Sequence, residues 1–425
     1  MPATGETPPR PHPVSPSQPI VVFDFADPVF QADPYPTYAA LREREPIAYR
    51  ERDGFRSFWV TRYDAVERVL RDPRFRSATT PPELLQPGIP ETFRRLGALL
   101  ENMMLLQNGA DHARLRGLVN KAFTPRTVEK LRPRVESIAD ALIDAVQTRG
   151  SGQMDVIADL ATPLPVLVVA ELLGIPTDDQ PQFKKWSDDI AVVLDGSVRT
   201  EGLPRAAQSA GELAAFLRDV VAARRRDPRE DLLSAMIAAR DRDEALSDVE
   251  LTANAILLLL AGHETTTNLV GNAVLALCRH PQEFEKLRRE PERAEAAVEE
   301  CLRFDPPVQL TARMPREDVW FDGVRFFPEA EVTLSIGAAN RDAARFADPE
   351  RLDIGRFEGS GRKLRHLSFG LGAHFCLGAP LARLEGAIAV QRMATRLPAF
   401  ELARPDPPRR PGLVLRGLAS LPIRF

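Results

Sequence analysis

Cys376 lies in the run Leu367-Ser368-Phe369-Gly370-Leu371-Gly372-Ala373-His374-Phe375-Cys376-Leu377-Gly378, followed at once by the helical pattern Ala379-Pro380-Leu381-Ala382-Arg383-Leu384-Glu385. A thiol just ahead of a helix N-terminus meets free N–H groups and the positive end of the helix dipole, which favour the thiolate and lower its pKa. Gly370, Gly372 and Gly378 permit tight turns and the close approach of a flat ligand, and Pro380 suits a first helical turn. An isolated cysteine is more often an inert buried hydrophobe. The other readings are weaker. His374 as a base for a nucleophilic thiol has no third partner in view, zinc lacks ligands, and a dinucleotide loop lacks its third glycine and any surrounding βαβ unit.

A second constellation is Ala261-Gly262-His263-Glu264-Thr265-Thr266-Thr267-Asn268. It sits inside a long apolar helix, where a carboxylate and three hydroxyls are costly unless bonded or wet. Thr265 is placed to bond back to the carbonyl of Ala261 and bend the helix, and Gly262 lets a ligand approach the backbone. A hydroxyl that orients dioxygen and water, supplied with protons by a carboxylate, suits reductive O2 activation, which must deliver two protons. Thr266 and Thr267 fit helix packing, and His263 is turned about 100° from its neighbours and fits a structural role. Further along, Glu300-Cys301-Leu302-Arg303 is an i,i+3 acid–base pair, by default a surface pair of a few tenths of a kcal/mol. His112 and Arg116 share one helix face, which by default is a solvated basic face.

The cysteine segment resembles the cytochrome P450 family: Phe369, Gly370, Gly372, His374, Cys376 and Gly378 match its cysteine-loop pattern position by position. A thiolate is what a cysteine-ligated haem requires, since its electron donation favours O–O cleavage. The resemblance implies that Cys376 is the axial iron ligand, that Phe369 shields the sulfur side of the haem, and that His374 contacts a propionate. It maps the family's acid–alcohol pair onto Glu264 and Thr265, with Ala261 and Gly262 facing the haem. It assigns His112, Arg116 and Arg313 to the propionates, leaving Arg114 unassigned. It also makes Glu300 and Arg303 a structural salt bridge completed by Arg356, with Leu352 where the family often has Phe and Cys301 an inert cysteine. The matching motifs run from residue 111 to 385, and the resemblance extends from about residue 21 to the end.

These residues need elements to hold them. Helical periodicity predicts helices over Tyr35–Arg44, Asp64–Arg71, Pro125–Gln147, Leu164–Leu173, Ala206–Arg225, Leu246–Arg279, Glu292–Phe304 and Ala379–Leu397. Ser247 and Glu250 form a capping box, from which a helix to Arg279 runs about 48 Å through the middle of a large domain. Strand signals are Phe58-Trp59-Val60, a hairpin at Asp322-Gly323 between Val319–Phe321 and Val324–Phe326, and a C-terminal hairpin within Leu413–Leu421. The expected fold class is mainly α with small β-sheets; the resemblance implies the P450 fold, haem between the long helix and the cysteine loop. The expected organisation is a disordered Pro-rich tail over residues 1–20 and one domain over 21–425.

Composition agrees. The 425 residues carry a net charge of −4, which points to neither nucleic acid nor a membrane surface. Cys278, Cys301 and Cys376 are too few and too scattered for a disulfide framework or an iron–sulfur site and fit a reducing cytoplasm. The apolar run Ala255–Gly262 is too short for a membrane span of roughly 20 residues. The expected function is a haem b monooxygenase that uses O2 to hydroxylate or otherwise oxidise a hydrophobic small molecule of fatty acyl, terpenoid, carotenoid or polyketide type. Aliphatic side chains such as Met103, Met104, Leu105 and Val308 in the implied pocket segments suit such a ligand. No flavin or nicotinamide motif is present, so electrons from NAD(P)H would come through a ferredoxin or flavodoxin and its reductase, with Arg362, Lys363 and Arg365 a candidate docking site. A haem sensor or electron-transfer protein would not need Glu264 and Thr265, and the peroxide-driven branch of the family replaces that pair.

Overall fold

The computed structural model describes residues 27–52, 55–77, 84, 86, 88–175, 180–194, 202–241, 244–328, 330–359, 364–397 and 400–425. The expected tail and two of the three docking cations, Arg362 and Lys363, lie outside these residues.

The helix Asp248–Arg279 is the axis of the molecule. Its start is fixed as expected: Glu250 N donates to Ser247 Oγ at 3.2 Å and Ser247 N donates to Glu250 Oε2 at 2.9 Å. Helices Pro163–Leu173, Leu203–Arg226, Ala294–Phe304 and Ala379–Arg396 pack around it. From Leu251 to Leu277 nearly every residue is buried. The break falls in the middle, where Ala261 is exposed and Gly262, Glu264 and Thr265 are half-buried. The helix thus leaves Glu264 and Thr265 partly accessible, which lessens the cost that burying those groups would carry.

A five-stranded sheet flanks the helices in the order Ile47–Arg52, Phe55–Val60, Glu331–Ser335, Leu310–Pro315, Phe75–Ser77. Only the pairing of Phe55–Val60 with Glu331–Ser335 is parallel. Arg313 lies opposite Val332 on one side and Ser77 on the other, so its backbone is set by the sheet. The hairpin Val319–Phe321/Val324–Phe326 forms as predicted, with positive φ at Asp322 (50°) and Gly323 (75°).

Two expectations differ. The helix predicted over Pro125–Gln147 is two helices, Pro125–Lys130 and Arg132–Thr148. Pro133 lacks an N–H and its ring would meet the carbonyl of Glu129, so the chain restarts rather than continues. The segment Leu413–Leu421 does not fold on itself; it pairs singly with its neighbours, Leu415 with Val308 and Leu418 with Arg409. Pro405, Pro407, Pro408 and Pro411 deprive this region of backbone donors. Instead, Arg416 N donates to Pro307 O at 2.7 Å, and the Arg416 guanidinium meets Asp305 at 2.8 Å. That carboxylate also bonds Tyr35 Oη at 2.7 Å and pairs with Arg409 at 3.2 Å, so one buried acid ties the chain's beginning to its end.

The acid–base pair of helix Ala294–Phe304 lies in the core. Glu300 and Arg303 have fully buried side chains, with Arg303 Nη2 at 2.7 Å from Glu300 Oε1 and Nε at 2.7 Å from Oε2. Arg356 Nε reaches the same carboxylate at 3.1 Å. Leu352 and Cys301 are buried in the adjoining core, and burial pushes the Cys301 thiol up.

Candidate active site

The cysteine loop is laid across the ends of three elements. Asn340 holds its entry: Leu367 N donates to Asn340 Oδ1 at 2.8 Å, and Asn340 Nδ2 donates to Ser368 Oγ at 2.8 Å. The loop then closes through Cys376 N donating to Phe369 O at 2.9 Å. Gly370 and Gly372 adopt φ of 65° and 74°, the left-handed region that other residues avoid. At Gly372 a side chain would also strike the carbonyl of Leu70.

Cys376 has accessible surface although protein packs around it. The N–H groups of Gly378 and Ala379, together with the charges of Arg116 and Arg383, favour the thiolate. Burial outweighs them and pushes the thiol up, the reverse of the direction expected from the helix N-terminus alone. A thiolate at this position therefore calls for a cation bound directly to sulfur. Among the described residues no group of three His, Cys, Asp or Glu side chains is placed to hold an ion. A metal that brings its other ligands in a macrocycle fits that lining.

Beside the sulfur stands a rim of N–H donors, two guanidiniums and two imidazoles. The rings of His112 and His374 are 4.0 Å apart at 35°. Burial, then the neighbouring His112, Arg313 and Arg116, pull His374 down to about 3. Burial also lowers Arg313 to about 10 and depresses Arg116 and His112. Arg313 donates to Ala312 O at 2.7 Å and Thr311 Oγ1 at 3.2 Å. Among the described residues none of these four groups has a carboxylate partner. Such a cluster fits an anionic ligand with more than one carboxylate. Arg114, by contrast, is turned away and pairs with Glu250.

On the central helix, Thr265 Oγ1 donates to Ala261 O at 2.6 Å, the back-bond expected from the sequence. Glu264 lies 3.7 Å from Arg410, which the C-terminal loop supplies. The sequence reading missed Arg410, because nothing in the spacing of the two residues relates them. Gly262 has a different constraint from the one expected: a side chain there would point at Val169 Cγ2, 2.8 Å away on helix Pro163–Leu173. Close helix packing therefore excludes a side chain at Gly262, while Ala261 is exposed. His263 is buried and its Nδ1 lies 3.1 Å from Ser187 Oγ; burial pulls it down to about 4. Thr266 and Thr267 are buried in the packing.

Beneath the loop, the Arg383 guanidinium lies 4.4 Å from the centre of the Phe369 ring. Gly378 is in ordinary contact range of the sulfur, a Cβ there lying 3.9 Å from it. Of the pocket residues expected from sequence, Met103 and Met104 are buried in the main core and do not offer surface to a ligand, whereas Leu105 is exposed and Val308 half-buried. The buried Asn254 explains this, because its side chain holds the turn around them: Met104 N donates to Asn254 Oδ1 at 2.9 Å, and Asn254 Nδ2 to Asn102 O at 3.0 Å.

Comparison with known proteins places this geometry. The family model for cytochrome P450 matches residues 41–416. The biotin biosynthesis cytochrome P450 of Bacillus subtilis is 38% identical over 396 residues, covering 93% of this chain and 97% of that one. The cytochrome P450 monooxygenase PikC of Streptomyces venezuelae is 40% identical over 407 residues, covering 93% and 92%. The crystal structure of P450BioI in complex with hexadec-9Z-enoic acid ligated acyl carrier protein superposes with a TM-score of 0.86 at 38% identity, covering 93% of this chain and 99% of that one. The chain belongs to the cytochrome P450 family, whose members are haem-binding monooxygenases of small molecules, and it has that family's mainly helical fold with small sheets.

Proposed function

We propose that Cys376 would hold the iron of haem b through its sulfur and that the protein oxidises an elongated hydrophobic substrate of fatty acyl or polyketide type. The observation that carries the ligand assignment is the Cys376 sulfur served by two N–H donors and flanked by two buried donors, His112 and Arg313, and two half-buried ones, Arg116 and His374, none with a carboxylate partner among the described residues. When bound, haem supplies O2 activation and the insertion of one oxygen atom into the substrate, with the other leaving as water. His112, Arg116, Arg313 and His374 bind the propionates. Phe369 and Gly378 cover the sulfur. Ala261 keeps the facing helix surface low, while the bare backbone of Gly262 lets the helix pack against Val169.

Thr265 holds a proton at Oγ1 and orients dioxygen and water, and Glu264 resupplies that proton. Arg410 lies 3.7 Å from Glu264 on the side of the C-terminal loop, so proton delivery includes a swing of the carboxylate between Arg410 and Thr265. Electrons come from NAD(P)H through a reductase and a ferredoxin or flavodoxin in the bacterial cytoplasm. Arg365 contributes to that docking face, and reduction rates that do not change with ionic strength would remove this part of the proposal.

The substrate class is supported by relatives whose names concern polyketides or whose structure holds a fatty acid on its carrier protein. No helix among the described residues is long and apolar enough to cross a membrane. The test is a screen of free and carrier-linked acyl chains, terpenoids and macrolides for substrate-induced haem spin shifts, followed by product mass with a ferredoxin system and NAD(P)H. Shifts and a gain of one oxygen atom with acyl or polyketide compounds are expected. Turnover of only terpenoids or carotenoids would overturn the substrate class.

A further inference from the structure

The proximal side of the cysteine loop carries a polar clamp that the reaction as described does not use. Glu299, next to the structural acid Glu300, faces the opposite way. It accepts from Arg383 at both oxygens, Nε to Oε1 at 2.5 Å and Nη2 to Oε2 at 3.0 Å, and lies 3.2 Å from His366 Nε2. His366 Nδ1 accepts the N–H of Ser368 at 3.2 Å, so the ring proton sits on Nε2 and points at the carboxylate. Burial raises Glu299, but the bonds from His366 and Arg383 outweigh it and hold the acid down to about 2. Glu299 is therefore an anion at neutral pH.

The clamp encloses Phe369. The Arg383 guanidinium is 4.4 Å from the ring centre and the His366 ring 5.8 Å. Phe369 O in turn receives the Cys376 N–H, and the Arg383 charge favours the Cys376 thiolate. One carboxylate thus fixes a cation and a ring donor brought from the helix Ala379–Arg396 and from the loop, and both bear on the residue that covers the sulfur.

We propose that Glu299 and Arg383, paired beside Phe369 with His366, set the electron affinity of the iron carried by Cys376 through their two opposed charges. The inference rests on the haem-thiolate reading above. Reduction of the iron adds a negative charge at the site, so the Arg383 cation stabilises the reduced form and the Glu299 anion offsets that effect. Removing either charge moves the reduction potential, and the two removals move it in opposite directions. A purely structural clamp would not do this, since loosening it from either side has the same consequence.

The experiment is a spectroelectrochemical titration of the holoenzyme carrying Glu299→Gln, Arg383→Gln, both together, and the charge-preserving Glu299→Asp and Arg383→Lys. Glu299→Gln is expected to shift the midpoint to more positive potential and Arg383→Gln to more negative. The double variant should fall between the single ones, and the charge-preserving variants should stay closest to the parent. Shifts of one sign in both single variants, or no shift in either, overturn the proposal. The ferrous–CO spectrum of the parent protein is recorded first. If it is not of thiolate type, the haem-thiolate reading has failed, whereas a thiolate spectrum with unmoved potentials is a failure of the clamp alone.

Discussion

Replacing Glu300 by glutamine keeps the shape of the side chain and removes the charge that two guanidiniums share. Glu300 and Arg303 are fully buried and the Arg356 side chain is 10% exposed, so water cannot take over the lost interaction. Arg303 would keep its bonds to Asn340 O at 3.1 Å, Pro349 O at 2.8 Å and Arg351 O at 3.1 Å. Its charge would nevertheless be uncompensated, and the new amide would turn an N–H toward donors. Breaking a buried pair by removing one partner costs about 3–5 kcal/mol. An unfolding entropy of about 2.1 cal/mol/K per residue over 425 residues gives about 0.9 kcal/mol/K, so the melting temperature should drop by about 3–6 °C. The assay is thermal unfolding by far-ultraviolet circular dichroism at one fixed scan rate, because proteins of this size commonly unfold irreversibly. A Glu300→Gln protein melting within about 1 °C of the parent would refute the reasoning, since it would mean the triad's charges contribute no net stability.

Three further outcomes are expected. Thr265→Ala should raise futile peroxide release relative to product, and unchanged coupling contradicts a proton-relay role for the hydroxyl. Arg116→Ala and Arg313→Ala should each speed haem transfer to a scavenging apoprotein, losing charge-assisted bonds worth about 1.5–3 kcal/mol, or roughly 10- to 150-fold in affinity; Arg114→Ala, which breaks the pair with Glu250, should not. His263 is held neutral by burial, its pKa pulled from 6.5 to about 4. The unfolded chain therefore binds the extra proton, and His263 makes stability fall as pH drops from about 6.5 toward 4. His263→Gln should flatten that fall in urea midpoints measured at pH 7 and 5, and parallel curves would contradict the assignment.

Much of the site was legible because its residues act through local spacing. The capping box of Ser247 and Glu250, the back-bond of Thr265 to Ala261 and the pairing of Glu300 with Arg303 are three- or four-residue relations, and the structure contains all three. What escaped the sequence depends on distant chain segments. Arg410 meets Glu264 across 146 positions of chain and Asp305 gathers Tyr35 and Arg416, for which no periodicity exists. The direction of the Cys376 shift was misjudged for the same reason: the helix terminus is a local feature, but the burial that outweighs it comes from the whole fold. Pro133 shows the opposite error, a local signal present in the sequence and overridden by the apolar period around it. Met103 and Met104 were placed in the pocket by segments implied by the family resemblance, and the contact with Asn254 holds the turn that buries them in the core.

The account stands on the thiolate at Cys376, and the most direct measurement is the carbon monoxide difference spectrum of the reduced protein beside that of Cys376→Ser. The parent should give the thiolate-type band, and the variant, with a hydroxyl in place of sulfur, should lose it. A variant that retains the thiolate-type band would contradict the assignment, because the sulfur donor would then have to be another residue.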